Sequence, residues 1–307
     1  MSVRATPAYQ TTRPRWRREW REWVLFGGMV GPNLAFLVVF VFWPLVYNAY
    51  LSLVEWDFIA PVKVFVGLEN YREALRDPLF HQVLGNSLVF TVGTVAGTLV
   101  LGLLGALLLN QPLVLRQAAR SVLFAPYILP GAAVAVVWVY IFDPTYGLIR
   151  LLLHPVGLAS PNWLRDPRWA MLALILVYIW KHVGYTLVIF LAGLQAIPRD
   201  LYEAALIDGA GAWARFRFVT LPGLSPITFF LVVTGILSSF QAFDLIHVMT
   251  RGGPVNATNT LLYHLYEEGF VAFHAGRAGV VAVILFLLLL LVTVVQVRYG
   301  ERRVHYA

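Results

Sequence analysis

The sequence predicts an all-α membrane protein with six transmembrane helices, and two observations carry this prediction. Apolar residues make up 59% of the chain and charged residues 13%, whereas an average soluble domain has roughly 45–50% and 25%. The chain also contains six long apolar runs, each reaching the roughly 20 residues that a helix needs to cross a hydrocarbon layer. Spanning strands alternate between apolar and polar residues, and these runs do not, so the spans are predicted to be helical.

The predicted spans follow one another along the chain and form one membrane domain, residues 24–298. Only Lys181 interrupts a run, and Pro130 lies inside one, where neighbouring helices can satisfy the carbonyl that a proline leaves free. An Arg-rich cytoplasmic tail is predicted over residues 1–23 and a second cytoplasmic tail over residues 299–307. The spans are predicted at residues 24–53, 81–110, 121–142, 169–195, 225–248 and 277–298.

Basic residues determine the predicted orientation of the spans. With the N-terminus in the cytoplasm, the inner segments hold 14 Lys and Arg residues and the outer links hold eight, and such an excess marks the cytoplasmic side. We therefore expect a multi-pass protein of a bacterial-type inner membrane, with both termini in the cytoplasm. The net charge of +7 is then explained by topology and by contact with lipid, and nucleic acid is not expected as a partner.

Several kinds of chemistry are excluded by what the sequence lacks. It has no cysteine, so thiolate metal sites and cysteine nucleophiles are ruled out. Its two lysines, Lys63 and Lys181, stand outside any P-loop, and the H-E-x-x-H metal motif is absent. Asp143 and Asp166 each precede a proline and are predicted to form turns. We therefore expect no catalytic residue, no metal site and no ATP site on this chain.

The inner link between spans four and five, residues 197–226, is the most informative segment. Asp200 can act as an N-cap with Glu203 three residues later, as in a capping box. Gly209 can take the left-handed conformation that ends a helix. The pattern predicts a helix of two turns over residues 201–208. From the residues alone, an ordinary interfacial helix remains an open alternative.

The rest of this link predicts a surface for close contact and a second helix. Ala204 and Ala205 give the first helix a thin side, which lets another backbone approach closely. A second short helix is predicted over residues 210–219, stopped by Leu221 and Pro222.

One set of residues in the link has a recognisable spacing: Glu203, Ala204, Ala205, Asp208, Gly209, Ala210, Leu221 and Pro222. Together they resemble the EAA loop that marks the permease subunits of binding-protein-dependent ABC importers. The resemblance implies that the short helix docks on a separate ATPase subunit and transmits its closure to spans four and five. These residues are therefore the expected coupling residues.

Further segments are similar to the carbohydrate branch of that family. They lie at residues 66–71, 125–127, 180–181 and 250–254, and the ending over residues 294–306 is similar to the glycerol-3-phosphate permease of the branch. The resemblance implies a permease subunit that passes a sugar or related polyol inward by alternating access.

The same resemblance implies the partners and the source of energy. A second, related permease would help to enclose the path, two ATP-binding subunits would lie inside, and a solute-binding protein would dock outside. ATP and Mg would be bound by the partner subunits, and no cofactor is expected on this chain.

Two alternative functions are left open at this point. One is an importer of an anionic solute such as glycerol-3-phosphate, with Lys181 as the counter-charge. The other is a polytopic membrane enzyme or assembly subunit. The enzyme would need an ionisable pair within the membrane, whereas only Lys181 is securely placed there by the sequence.

Polar and aromatic side chains in spans four and five mark a candidate substrate path, because such groups are costly in lipid. Three of them recur at helical spacing on one face of span four, with Lys181 beside them. A structural bond from Lys181 to a backbone carbonyl is an open alternative, and serines are also common in helix packing. The candidate set is Tyr178, Lys181, His182, Tyr185, Gly235, Ser238, Ser239 and Gln241.

Overall fold

The computed structural model describes residues 15–112 and 114–300. Most of the predicted N-terminal tail and the predicted C-terminal tail from residue 301 onward lie outside the described residues. The described chain divides into two compact units, before and after the bond between Tyr50 and Leu51. Both units are helical, as predicted, apart from one two-residue ladder in which Val54 pairs with Phe65.

The first unit is built from one long helix. It consists of α1 (Arg15–Leu37), a π-helical turn (Val38–Phe42) and α2 (Trp43–Leu51). The wide turn ends at Phe42, two residues before Pro44. A proline ring clashes with the carbonyl four residues earlier, and an extra residue in the turn makes room for the ring while the helix continues. Pro44 therefore does not break the first predicted span.

The second unit begins with two short strands, and its helices are of two kinds. Long helices cross the unit and short ones form the links between them. The elements are β1 (Val54–Glu55), β2 (Val64–Phe65), α3 (Glu69–Arg76), α4 (Pro78–Leu109), α5 (Arg116–Ile128), α6 (Gly131–Ile141), α7 (Leu148–Leu153), α8 (Pro167–Ala196), α9 (Arg199–Ile207), α10 (Ala212–Arg215), α11 (Leu221–Gly223), α12 (Ser225–Phe240), α13 (Phe243–Met249), α14 (Leu261–Tyr266) and α15 (Ala275–Val295).

Over the described residues, four helices are long and apolar enough to cross a membrane, or six spans result if each of two bent helix pairs counts as one. The four are Glu22–Leu51, Pro78–Leu109, Pro167–Ala196 and Ala275–Arg298. They coincide with the predicted spans one, two, four and six. The predicted spans three and five coincide with the bent pairs, so the structure supports four to six spans.

The third predicted span is two half-helices rather than one helix. α5 and α6 meet at an angle of 102°, and between them Leu129 is extended, with φ −67° and ψ 143°. The residue before a proline is disfavoured in the helical region, and Pro130 has no N–H to continue the ladder. A prediction of one continuous helix over residues 121–142 is therefore corrected.

The fifth predicted span also differs from expectation at both ends. A helix over residues 212–223 runs past Pro222 through a π-helical turn (Phe216–Thr220) and bends by 61° into α12. The predicted stop at Leu221 and Pro222 is therefore wrong, for the same steric reason as at the first wide turn. At the other end α12 stops at Phe240, and the chain breaks at Gln241 before α13 begins.

The contact between α4 and α8 lies at the centre of the second unit. Gly93 and Gly97 of α4 face the side chains of Ile175 and Ile179 of α8. Small residues let two helices approach closely, which is how helices associate where lipid removes the gain from burying apolar surface. α12 packs against α4, and α5 packs against α8, so four helices meet around one region.

Two of the predicted outer links lie together at one end of this unit. The side-chain amide of Asn86, near the start of α4, donates to the backbone oxygens of Asn256 and Asn259 at 2.7 and 2.9 Å. Arg277, at the start of α15, pairs with Glu73 of α3 at 3.6 Å. The link that precedes span two and the link that precedes span six are therefore on the same face.

Candidate functional site

A small cavity lies where α4, α5, α8 and α12 meet. Its volume is about 100 Å³, and aromatic rings, hydroxyls and apolar side chains form its walls. Five of the eight predicted path residues line it. The lining is Val95, Thr98, Leu99, Tyr127, Tyr178, His182, Tyr185, Thr186, Leu231, Thr234, Gly235 and Ser238.

Two stacked ring pairs form the aromatic wall of the cavity. The rings of Tyr178 and His182 are 3.9 Å apart and 16° from parallel, and those of Tyr127 and Tyr185 are 4.7 Å apart and 17° from parallel. The rings of Tyr127 and His182 also meet edge to face, with their centres 5.7 Å apart. The Nδ1 atom of His182 lies 2.9 Å from the carbonyl oxygen of Tyr178, which fixes the imidazole plane. The wall is therefore held by mutual contacts.

Hydroxyl groups form the polar part of the lining. Thr98 Oγ1 donates to the carbonyl oxygen of Thr94 at 2.8 Å, and Thr234 Oγ1 donates to that of Phe230 at 2.8 Å. A hydroxyl that donates back to its own helix keeps its lone pairs as acceptors. The cavity thus offers acceptor oxygens beside aromatic faces.

Three predicted path residues do not line the cavity. Ser239 is 3% exposed, and its Oγ lies 3.0 Å from Thr91 Oγ1 and 2.8 Å from the carbonyl oxygen of Ile236. Its hydroxyl therefore joins α12 to α4 rather than facing the cavity. Gln241 is exposed where α12 ends.

Lys181 is the third predicted path residue that lies outside the lining. It contacts Tyr127, which does line the cavity. Lys181 lies halfway along the 30-residue helix α8. Its Nζ donates to the backbone oxygen of Tyr127 at 3.0 Å and lies 5.6 Å from the centre of the Tyr127 ring. The structure thus contains the bond to a backbone carbonyl that the sequence analysis left open.

Four polar or aromatic lining residues were missed in the sequence, namely Thr98, Tyr127, Thr186 and Thr234. Tyr127 belongs to the segment 125–127, whose similarity to the carbohydrate branch assigns its ring no role, although its place in that segment could have suggested one. Thr98 continues a helical series from Thr91 and Thr94 on α4, a signal that was readable at the spacing of three to four residues. Thr234 carries no such signal.

The inner link forms the short helix that the sequence predicted, with a different start. α9 has Pro198 at its N-cap and no side-chain cap, so the predicted N-cap role of Asp200 and the capping box with Glu203 are wrong. Proline fixes φ near −65°, and here its ψ of 135° lets the helix begin at the next residue. Asp200 instead lies in the first turn.

The end of α9 is as predicted. Gly209 has φ +78°, its N–H donates to the carbonyl oxygen of Leu206 at 3.0 Å, and the N–H of Ala210 donates to that of Ala205 at 2.8 Å. These two bonds are the Schellman arrangement that closes a helix. Asp208 is the C-cap residue.

One face of the short helix rests on the C-terminal end of α8 and on the segment that leads into α12. Tyr202 packs in the apolar cluster that contains Ile197 and Leu224, and its hydroxyl lies 3.0 Å from Thr220 Oγ1. Its other face is open. Glu203 and Ala204 are exposed, Ala205 and Ala210 are half-buried, and Leu221 and Pro222 lie half-buried in α11.

The two aspartates predicted to form turns do so. Asp143 Oδ1 accepts from the N–H groups of Thr145 and Tyr146, and the bond from Thr145 is the main reason that the pKa of this carboxyl lies below its ordinary value. Asp166 accepts from the side chain and the N–H of Arg168, which lowers its pKa. Over residues 15–112 and 114–300, no group of three His, Asp or Glu side chains could hold a metal ion.

The fold and the cavity define a class, a helical membrane protein with a polar cavity between its long helices. Residues 98–306 match the model of a family described as binding-protein-dependent transport system inner membrane component, and the chain belongs to this family. It is therefore a subunit of a transporter and not an enzyme.

Relatives and solved structures agree with this placement. The chain is 35% identical to the sn-glycerol-3-phosphate transport system permease protein UgpA of Pectobacterium atrosepticum, over 96% of this chain and 99% of the relative. It is 36% identical to a probable ABC transporter permease protein of Pyrococcus horikoshii, over 78% and 82%. The fold resembles a chain of a bacterial ABC transporter involved in the import of the acidic polysaccharide alginate, with TM-score 0.80, 22% identity and coverage of 94% and 98%.

Proposed function

We propose that the chain is a permease subunit of an ABC importer that passes a sugar or a related polyol inward by alternating access. The observation that carries the proposal is the cavity of hydroxyls and stacked rings at the meeting point of the central helices. The membership of the chain in a binding-protein-dependent transport family supports it.

The partners follow from this proposal. An extracytoplasmic solute-binding protein delivers the solute, a second permease completes the path, and two ATP-binding subunits bind ATP and Mg. One of those subunits contacts the inner link of this chain at the exposed face of α9, where Glu203 and Ala204 are accessible. Closure of the ATP-binding subunits moves α9, and the contact of Tyr202 with Thr220 passes the movement to the helix that leads into α12.

The chemistry of the cavity favours a neutral polyol. The C–H face of a sugar ring can stack on Tyr185 and Tyr127, while sugar hydroxyls donate to threonine oxygens. Among the described residues, those that line the cavity include neither Arg nor Lys, and the nearby Lys181 donates to a backbone oxygen. A phosphate group would therefore meet no cation in this lining.

Glycerol-3-phosphate is the second candidate solute, and the names of the relatives favour it. Uptake of radiolabelled sn-glycerol-3-phosphate and of a panel of radiolabelled neutral sugars, in cells that express the chain with its partner subunits, separates the two. Accumulation of a neutral sugar supports the first proposal. Accumulation of glycerol-3-phosphate alone replaces it with the second.

Replacing Tyr185 by alanine is expected to lower uptake about tenfold or more, because a stacking surface worth ~1.4 kcal/mol in binding is lost. Tyr185→Phe is the matched control, since it keeps the ring stacked on Tyr127 and should retain most uptake. Basal ATP hydrolysis by the assembled complex should change little in either variant. Normal uptake by the alanine variant at normal abundance would remove Tyr185 from the path.

The orientation of the chain is a further part of the proposal, with both termini and the inner link in the cytoplasm. Single cysteines can be introduced at Ala212, in the inner link, and at Val255, in a predicted outer link, because the chain has none of its own. Both positions are exposed. In intact cells, Val255→Cys should react with a membrane-impermeant maleimide and Ala212→Cys should react only after lysis. The reverse pattern would invert the topology.

A further inference from the structure

The break in span three leaves two helix ends partway along that predicted span, where Ile128 and Leu129 are exposed on the surface of the chain. α5 ends at Ile128 and α6 begins at Gly131, with a bend of 102° between them. The last carbonyls of α5 and the first N–H groups of α6 therefore lose their partners within the helix. Within a membrane such groups must be satisfied by other parts of the protein.

A cation stands at the C-terminal end of the first half. Lys181 Nζ donates to the carbonyl oxygen of Tyr127, the residue before the last in α5, at 3.0 Å. The C-terminal end of a helix carries a partial negative charge. The ammonium group therefore donates a hydrogen bond to the free carbonyl and is also attracted by this partial charge. The bond also ties α5 to α8 at the residue whose ring forms the cavity wall.

An anion stands at the N-terminal end of the second half. Asp244, in the first turn of α13, lies against Gly131, the first residue of α6. Its Oδ2 is 2.8 Å from the point where a β-carbon on Gly131 would lie. The N-terminal end of a helix carries a partial positive charge, so this carboxylate also has the sign that the dipole favours. The lack of a side chain at Gly131 is what lets Asp244 come so close.

The two charged groups stand on the two sides of the break. Lys181 meets the end of α5, and Asp244 meets the start of α6. Lys181 comes from the fourth predicted span and Asp244 from the fifth, so the bent third span is held between its two neighbours. A charge of either sign within a membrane is costly unless it has such partners.

We propose that Lys181 and Asp244 are positioning residues that hold the break in span three and thereby keep the Tyr127 ring against Tyr185 as a wall of the cavity. This deepens the role of Lys181, which acts through Tyr127 rather than by touching the solute. The inference rests on the proposed function only in treating the cavity as the solute path.

The test measures how fast a reagent enters the cavity. Thr98→Cys places one thiol in the buried part of the cavity lining of the otherwise cysteine-free chain, and the uncharged reagent methyl methanethiosulfonate reports its accessibility in the assembled, detergent-solubilised transporter. Tyr127→Ala removes the wall and sets the rate for an open cavity. Lys181→Met and Asp244→Asn are each combined with Thr98→Cys, and Lys181→Arg and Asp244→Glu are the controls that keep the charge.

Loss of either charge should raise the reaction rate at least about threefold, toward the rate of Tyr127→Ala, because the end of the half-helix loses its neutralising partner. The charge-keeping variants should stay close to the parent. The melting temperature is measured on the same monodisperse preparations. A lowered melting temperature with an unchanged reaction rate in both neutral variants would show a merely structural role and overturn the inference, and so would a Tyr127→Ala rate equal to that of the parent.

This result is independent of the uptake experiment. If the cavity opens on loss of Lys181 while Tyr185→Ala transports normally, the positioning role stands and the cavity is not the solute path. If Tyr185→Ala loses uptake while the thiol rates do not change, the path stands and the positioning role fails.

Discussion

Gly184→Ala is expected to prevent stable folding of the chain. A β-carbon at Gly184 would lie 1.8 Å from the carbonyl oxygen of Leu123 and 2.9 Å from the Cα of Phe124. Both are backbone atoms of α5, so no side-chain rotation can relieve the clash, and α5 as a whole must move away from α8. Forcing extra volume into packed cores costs about 1–3 kcal/mol where side chains can adjust, and we expect ~3 kcal/mol or more here.

The same displacement would remove the Tyr127 ring from the cavity, since Tyr127 follows one turn later on α5. The measurement is the yield of monodisperse protein and its melting temperature in detergent. Gly85→Ala is the matched control, because Gly85 also lies within a long helix and has no atom near the position of a β-carbon. It should leave the melting temperature unchanged or slightly raise it. Equal stability of the two variants would contradict the tight crossing of α5 and α8.

The sequence predicts where the helices lie because each span must satisfy its own backbone in lipid. Long apolar runs therefore give α4, α8 and α15 with little ambiguity. The bent spans three and five were harder to predict from the sequence. Pro130 is compatible with a kinked helix or with two half-helices, and the choice depends on what stands against the break. Here that is Asp244 beside Gly131, a contact between residues far apart in the sequence.

The sequence predicted only part of the candidate cavity, because the rest depends on contacts between residues that are far apart in the chain. Tyr178, His182 and Tyr185 share a helical face by spacing alone, and that face does line the cavity. Ser238 and Ser239 are adjacent in α12, and their side chains point in different directions. Which of the two lines the cavity depends on the rotation of α12 against α4. The contact of Ser239 with Thr91 fixes that rotation, and a single sequence does not reveal it.

In the inner link, the sequence predicted the helix exit better than its entry. A glycine at a helix end has one strong reason to be there, its tolerance of positive φ, and the structure confirms it at Gly209. For the entry, the sequence predicted Asp200 by its side chain, whereas in the structure the N-cap is Pro198, whose φ is fixed. The buried position of Ile197 anchors the chain just before Pro198, so the helix starts one residue after the proline.

Gly209→Val is expected to abolish transport while leaving the chain in the membrane at normal abundance. Gly209 has φ +78° and open space around the position of a β-carbon, so valine is opposed by its backbone conformation alone. Holding a β-branched residue there costs about 1–3 kcal/mol. The chain avoids this cost by opening the Schellman bonds of Gly209 and Ala210. α9 then loses its fixed exit and its fixed direction across the inner face.

The measurements are uptake, membrane abundance and co-purification of the ATP-binding subunits. Gly209→Asn is the matched control, because asparagine tolerates the left-handed region and should retain most uptake. Gly211→Val is a second control, since Gly211 is an exposed neighbour with extended φ and equal space. Loss of transport confined to Gly209→Val would tie coupling to the left-handed exit of α9. Normal uptake by Gly209→Val would show that the direction of α9 is not set by this residue, and the proposed coupling role of the inner link would have to be abandoned.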